Sequence, residues 1–104
     1  MSPITGTINL PNIKTIGNEA FKATNITRVI IGPDCTNMNQ GVFQGCSQLT
    51  SIICKATTPP TLTYNNTFTG SICPIYVPAA SIDTYKSAQY WSAVSNRIQA
   101  ISNS

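Results

Sequence analysis

The chain contains no histidine. Without an imidazole side chain, Ser-His-Asp triads, Cys-His dyads and histidine metal sites are excluded within these 104 residues. The three carboxylates, Glu19, Asp34 and Asp83, fall in different repeats or loops, so a pair for general acid and base catalysis is not expected. The sequence therefore predicts a protein that is not an enzyme and has no catalytic residue.

Charged residues are also scarce. They make up 9% of the chain, against roughly 25% in a typical soluble domain. The six Lys and Arg residues are scattered, whereas a nucleic-acid-binding surface needs a basic stripe with stacking aromatic side chains. We therefore expect no nucleic-acid partner. With 41% hydrophobic residues, seven prolines and six glycines, the composition is typical of one folded, turn-rich domain.

Long apolar runs are missing too. The longest aliphatic run, Val29 to Ile31, is far shorter than the roughly 18 residues that a membrane-spanning helix needs. The start, MSPITGTINL, has neither the basic nor the apolar region of an export signal. The sequence thus predicts no membrane span, and it shows no signal peptide in this chain.

What the sequence does contain is a repeat with a period of about 23 residues. Three sets of positions follow this period: Ile26, Leu49 and Ile72; Val29, Ile52 and Ile75; and Ile31, Cys54 and Val77. A slightly shorter copy aligns Ile8 with Val29 and Leu10 with Ile31, and it also aligns Ile13 and Ile16 with Cys35 and Met38. Phe21, Phe43 and Phe68 also correspond, the last displaced by an insertion in KATTPPTLTYNN that we expect in a loop.

A period of this length predicts a mainly β, leucine-rich-repeat-like solenoid of about three to four coils. Each coil would contribute one short strand and an irregular return, and would bury its apolar side chains against its neighbours. Because side chains alternate along a strand, Val29, Ile52 and Ile75 should face one shared interior. No cofactor is implied by this architecture.

The C-terminal residues are expected to close one end of the solenoid. Ser81 is a candidate helix N-cap and Asp83 would lie in the first turn, which predicts a short helix. The apolar side chains that would cover the last coil are Ile82, Tyr85 and Trp91, and IQAI, Ile98 to Ile101, would add a final strand. We thus expect a single domain over 1–104, with repeats over 7–78 and a short helical cap over 79–104. The N-terminal end has no recognisable cap.

The four cysteines, Cys35, Cys46, Cys54 and Cys73, form no CxxC pair, so we expect no metal site. Cys35 and Cys54 fall on inward positions, where a thiol packs as a small hydrophobic group. Two alternatives stay open: four buried free thiols, or a disulfide between Cys46 and Cys73 in an exported protein.

The blocks IKTIGNEAFKATNITRVII and TNMNQGVFQGCSQLTSIIC resemble the BspA-type leucine-rich repeats of bacterial and protozoan surface proteins. CKATTPPTL and the residues after Ile72 are similar to the C-terminal end of such proteins from Bacteroides-like organisms. The sequence departs from the family pattern at Gly32, where Pro is common, at Met38-Asn39 in place of Ile-Gly, and at Ala23-Thr24 in place of Gly-Cys. The resemblance implies a protein-interaction or adhesion module at the cell surface or outside the cell, with a protein ligand such as a host extracellular protein.

One surface is a candidate contact face. If Val29 and Ile52 point inward, Ile30, Ile53 and Tyr76 should form an outward-facing apolar strip. We define the contact face as this apolar strip and its polar neighbours: Asn9, Arg28, Ile30, Ile53, Lys55 and Tyr76. The alternative is that the C-terminal segment covers the strip, or that the strip is simply tolerated.

Two functions follow from these expectations. The first is a non-enzymatic interaction module, able to form a homo-oligomer through the sheet face or the open N-terminal end. The second is a purely structural capping fragment of a larger surface or phage-encoded protein, whose recognition residues lie in other repeats.

Overall fold

Parallel strands recur from Thr5 to Ala100. The computed structural model describes residues 5–101. The eight strands are β1 (Thr5–Leu10), β2 (Thr15–Ile16), β3 (Asn25–Ile31), β4 (Asn37–Met38), β5 (Ser51–Cys54), β6 (Thr61–Leu62), β7 (Ile75–Val77) and β8 (Ile98–Ala100). The larger sheet has the order β1-β3-β5-β7-β8, and a second sheet has the order β2-β4-β6. All pairings are parallel, which fits a repeat solenoid.

The register of the larger sheet confirms the alignment of the repeats. Val29 pairs with Ile52, which pairs with Ile75, and all three side chains are fully buried. Ile8 and Leu10 pair with Val29 and Ile31, as the shorter first copy predicts. Buried β-branched side chains suit this sheet, because their fixed rotamers pack well on a pleated surface.

The second sheet was missed by the sequence analysis, which predicted an irregular return. Ile16 pairs with Met38 and Met38 pairs with Leu62, and all three side chains are buried. Leu62 belongs to the insertion, so the expectation that the insertion lies in a loop is wrong for Thr61–Leu62. The predicted equivalence of Ile16 with Met38 is confirmed, but strands of two residues are too short to be recognised as strands in the sequence.

An aromatic stack fills the return side of the solenoid. The ring centroids of Phe21 and Phe43 are 5.9 Å apart, and those of Phe43 and Phe68 are 6.2 Å apart. The predicted equivalence of the three phenylalanines is therefore confirmed, including the displacement of Phe68. Trp91 extends the stack, with its ring 5.1 Å from that of Phe68.

Ile72 departs from the predicted register. Its expected counterparts Ile26 and Leu49 are buried, but Ile72 is 93% exposed. In the coil that contains the insertion, Phe68 comes later than the repeat period predicts, and the segment that follows it is shorter. Residues of this coil therefore align with those of the preceding coil again only from Ile75, which pairs with Ile52. The equivalence of Ile72 with Leu49 is therefore wrong.

Gly32 lies where the repeats that this chain resembles commonly have proline, and the backbone contacts of Gly32 explain the difference. Its backbone N–H donates a hydrogen bond to the carbonyl oxygen of Leu10 at 3.0 Å, and proline has no such donor. A Cβ at this position would also collide with the carbonyl oxygen of Pro11. The close approach of two coils thus favours glycine.

The C-terminal residues form short helices before the last strand. They are a 3-10 helix (Ala79–Ser81), α1 (Ile82–Ser87) and a kinked 3-10 helix (Trp91–Arg97). The strand predicted at Ile98 is present as β8, which pairs with β7. Tyr85 and Trp91 are buried, and Asp83 lies in the first turn of α1.

Three side chains of this segment bind the insertion. Tyr85 Oη donates to the carbonyl oxygen of Ala56 at 2.5 Å, and Trp91 Nε1 donates to that of Pro60 at 2.8 Å. Ser81 occupies the predicted N-cap position of α1, but its side chain makes no capping hydrogen bond. Ser81 Oγ instead donates to the carbonyl oxygen of Thr57 at 2.7 Å. These bonds satisfy backbone acceptors that no strand partner reaches.

We predict that Tyr85→Phe lowers the free energy of unfolding by about 1–3 kcal/mol, because it leaves the buried carbonyl of Ala56 without its donor. Urea unfolding followed by circular dichroism measures this change. Tyr90→Phe is the matched control, since the Tyr90 side chain is only half-buried. Equal stability of the two variants would contradict the assigned role of the Tyr85 hydroxyl.

Ala23 has a φ of 57°, whereas its equivalents in the next two coils are Gly45 and Gly70, with φ of 76° and 93°. Ala23→Gly should therefore raise the free energy of unfolding by up to about 1 kcal/mol. Ala20→Gly, three residues earlier, should lower it by about 0.5–1 kcal/mol, because no left-handed backbone is relieved there. Thermal unfolding of both variants tests whether their free energies of unfolding change in opposite directions. A loss of stability in Ala23→Gly would refute the prediction.

Candidate functional site

The candidate contact face follows one row of paired residues across the larger sheet. Asn9 pairs with Ile30, Ile30 with Ile53, and Ile53 with Tyr76. Tyr76 in turn pairs with Gln99 of β8. The structure therefore brings the three residues of the apolar strip side by side, with a polar amide at each end.

Alternation along the strands directs this row away from the core. Ile30 lies between the fully buried Val29 and Ile31, and Ile53 lies between the buried Ile52 and Cys54. The side chains of Ile30, Ile53 and Tyr76 are each half-buried. Since successive strand residues point to opposite faces, the partly accessible row is the outer surface of the sheet.

The two cations of the contact face lie on opposite sides of the apolar strip. Arg28 precedes Ile30 by two residues on β3, and Lys55 follows Ile53 by two residues, just beyond β5. Both side chains are exposed. The N–H of Lys55 donates to the carbonyl oxygen of Ile31 at 2.9 Å, which continues the hydrogen bonding of the sheet.

The carboxylates lie on other parts of the molecule. Glu19 forms an ion pair with Lys22 at 3.1 Å on the return side. Asp34 follows β3 in a turn, and Asp83 lies on α1. None of the five strands of the larger sheet carries Asp or Glu. The contact face is consequently apolar at its centre and positively charged at two flanks.

The C-terminal helix packs on the side of β5 opposite the apolar strip. Tyr85 Oη on α1 lies 3.3 Å from Cys54 Sγ, which is one of the inward groups of β5. What the C-terminal segment adds to the outer surface is Gln99, which pairs with Tyr76. The sequence analysis did not select Gln99, although the strand it predicted at Ile98 was the signal that could have identified this residue.

The four cysteines are buried and free, and no disulfide joins Cys46 to Cys73. Cys46 Sγ donates to the carbonyl oxygen of Phe21 at 3.0 Å, and Cys73 Sγ lies 3.8 Å from an Arg97 nitrogen. Burial raises the pKa of the Cys54 thiol above its ordinary value, and the Tyr85 hydroxyl offsets part of this rise. Burial likewise raises the pKa of Tyr85. These groups pack as neutral core atoms.

A groove of about 460 Å³ lies apart from the apolar strip, between the turn after β3 and the insertion. Its lining residues are Pro33, Asp34, Cys35, Thr36, Thr57, Thr58, Pro59 and Thr61. Within residues 5–101, no three His, Cys, Asp or Glu side chains are grouped as metal ligands. Two separate turns form this groove, so no single motif in the sequence indicates it.

The chain matches a known protein family. A model of the BspA type leucine-rich repeat region matches residues 4–90, in six copies. A search of curated proteins found no match. In the part of the chain that the structure describes, no helix has both the length and the apolar character needed to cross a membrane.

The buried thiols predict a pH dependence. The folded-state pKa of Cys54 is raised from 9.0, so the unfolded chain loses this proton more readily than the folded chain. Stability is therefore full below about pH 9 and is lost as the pH rises through the folded-state value. Urea midpoints measured from pH 7 to pH 10.5 should fall above about pH 9.

Cys54→Ala is the control for this alkaline loss. It removes one of the thiols whose pKa is raised, so its urea midpoint should decline less steeply with pH than that of the parent chain. The comparison is between the slopes, because the substitution itself leaves a cavity that lowers stability at every pH. Identical slopes would show that the Cys54 thiol does not contribute.

Proposed function

The chain belongs to the BspA-type leucine-rich repeat family, and on that premise we propose that it is a non-enzymatic module for binding protein through the outer face of its larger sheet. The observation that carries this proposal is the row Ile30, Ile53 and Tyr76, paired side by side on adjacent strands. Three aligned, partly accessible large side chains are typical of a contact surface. The family itself indicates protein interaction.

The finer assignment is adhesion by a bacterial surface protein, located outside the cell or at the cell surface, with a host extracellular protein as one candidate ligand. Family resemblance supports this part of the proposal. The absence of histidine and the separation of the three carboxylates support a role without catalysis.

We also propose the domain organisation: one domain over 1–104, with about three to four coils over 7–78 and a cap over 79–104. Burial of Tyr85 and Trp91 against the insertion supports the capping role of the C-terminal segment. Arg97 adds to it, since its Nε donates to the carbonyl oxygen of Cys73 at 2.8 Å and its Nη2 to Ser71 Oγ at 3.1 Å.

A second proposal is that the chain serves as a structural end-piece, stacked through its N-terminal end on further repeats or on another copy. The difference between the two ends favours it. At the N-terminal end, apolar side chains are only half-buried, namely Ile8, Leu10, Ile13 and Phe21. The C-terminal end buries Tyr85 and Trp91 almost completely.

The double substitution Ile30→Thr and Ile53→Thr tests the first proposal. Threonine keeps the β-branched shape that suits a strand, so folding should be retained while apolar contact area is lost. We expect weaker self-association, or at least a tenfold weaker affinity for any captured ligand, because each lost aliphatic contact contributes about 1 kcal/mol. Size-exclusion chromatography with light scattering measures self-association, which is the first of these two quantities. Capture of extracellular matrix proteins by the immobilised chain measures the second quantity.

Ile72→Thr is the matched control, because Ile72 is 93% exposed and lies outside the strands. It should leave association unchanged. If the double variant associates like the parent chain and captures the same extracellular matrix proteins equally well, the sheet face is not the contact surface. Association that instead responds to Phe21→Ser would favour the second proposal.

A further inference from the structure

From the arrangement of charge on the contact face we infer that its ligand is an extended acidic polypeptide segment with the pattern acid-x-apolar-x-acid. This inference rests on the proposed function, since it specifies what the sheet face binds. It is carried by the positions of Arg28 and Lys55 relative to the apolar strip and by the location of the carboxylates elsewhere.

The two cations and two isoleucines define a diagonal across the sheet. Arg28 lies two residues before the row of paired side chains on β3, and Lys55 lies two residues after it, just beyond the end of the neighbouring β5. With about 3.3 Å per residue and about 4.8 Å between strands, the Cα atoms of Arg28 and Lys55 are about 14 Å apart. The midpoint of that line falls between Ile30 and Ile53.

An extended polypeptide matches this distance. Four residues of extended chain span about 13 Å, and residues i, i+2 and i+4 all point to the same side. Acidic residues at i and i+4 would therefore meet Arg28 and Lys55, while an apolar residue at i+2 would lie over Ile30 and Ile53. Both flanking charges are positive, so the segment can bind in either direction.

Charge complementarity favours an acidic ligand over a neutral one. The only ion pair among residues 5–101 is that of Lys22 with Glu19, so Arg28 and Lys55 have no carboxylate partner in the described part of the chain. Both are exposed and two residues away from the apolar strip. Oppositely charged groups in the ligand would steer binding and fix its register.

The apolar centre favours a polypeptide over a bare polyanion. A polymer that offers charge alone would leave the half-buried Ile30 and Ile53 without apolar contact. A side chain such as leucine between two carboxylates would fill this position and withdraw apolar surface from water. Binding by an anionic polysaccharide is accordingly an outcome that the experiment must distinguish.

The test uses three synthetic peptides and the full chain. The first is GSDSLSDSG, which has the inferred spacing; the second, GSDDSLSSG, has the same composition with adjacent acids; the third, GSNSLSNSG, is neutral. Titration of the isotopically labelled chain, followed by amide chemical shifts, gives each Kd. We expect the first peptide to bind at least about fivefold more tightly than the other two, with shifts in β3 and β5 and weaker binding at higher salt.

Variants of the chain assign the contacts. Arg28→Gln and Lys55→Gln should each weaken binding of the first peptide about two- to fivefold, whereas Lys86→Gln on α1 should not. Equal binding of all three peptides, or no binding of the first, would overturn the inference. Heparin that binds more tightly than the first peptide and does not depend on Ile30 would also overturn it.

Failure of this inference is distinguishable from failure of the proposed function. If the neutral peptide binds as well as the acidic one, and Ile30→Thr weakens both, the sheet face binds protein without the acidic preference. If Ile30→Thr and Ile53→Thr change neither self-association nor capture of any protein, the proposed function itself fails.

Discussion

The structure depends on one constraint: equivalent residues of successive coils must be hydrogen-bonded neighbours in parallel strands. A coil of about 23 residues cannot enclose a core alone, so each buried side chain gains its contacts from the coils on either side. Val29, Ile52 and Ile75 meet this requirement in the larger sheet, and Phe21, Phe43 and Phe68 meet it on the return side. The register that places equivalent apolar side chains together in the interior also aligns the outward row. The packing of the core and the alignment of the contact face therefore both depend on this register.

The sequence predicted the strands of the larger sheet because their apolar positions recur at a constant interval. Ile53 and Tyr76 could be placed on the outer face for the same reason, since a residue between two buried neighbours must point outward. The interval does not predict the positions of residues in a coil whose length differs from the period. Ile72 follows Leu49 by the repeat period, but it lies in the shortened part of its coil, before the residues that pair with β5, and it is exposed.

Other features depend on contacts that no local pattern encodes. Ser81 lies at the N-cap position of α1, yet its hydroxyl donates to the carbonyl of Thr57 in a distant part of the chain and accepts no N–H from the helix. The strands β2, β4 and β6 have two residues each, which is too short for the alternation that identifies a strand in the sequence. Arg28 and Lys55 were expected beside the apolar strip because the repeat aligns Ile30 with Ile53, and the register of β3 and β5 agrees with that alignment.

The hydrogen bonds between the C-terminal side chains and the insertion have a consequence for how such proteins change over time. Ser81, Tyr85 and Trp91 all bind carbonyl groups of a single coil, at Thr57, Ala56 and Pro60. A duplication that adds a coil on the N-terminal side, or a deletion that removes one there, leaves every one of these bonds intact. The last coil and its helices can therefore be inherited as one unit while the number of preceding repeats changes, and with it the width of the larger sheet.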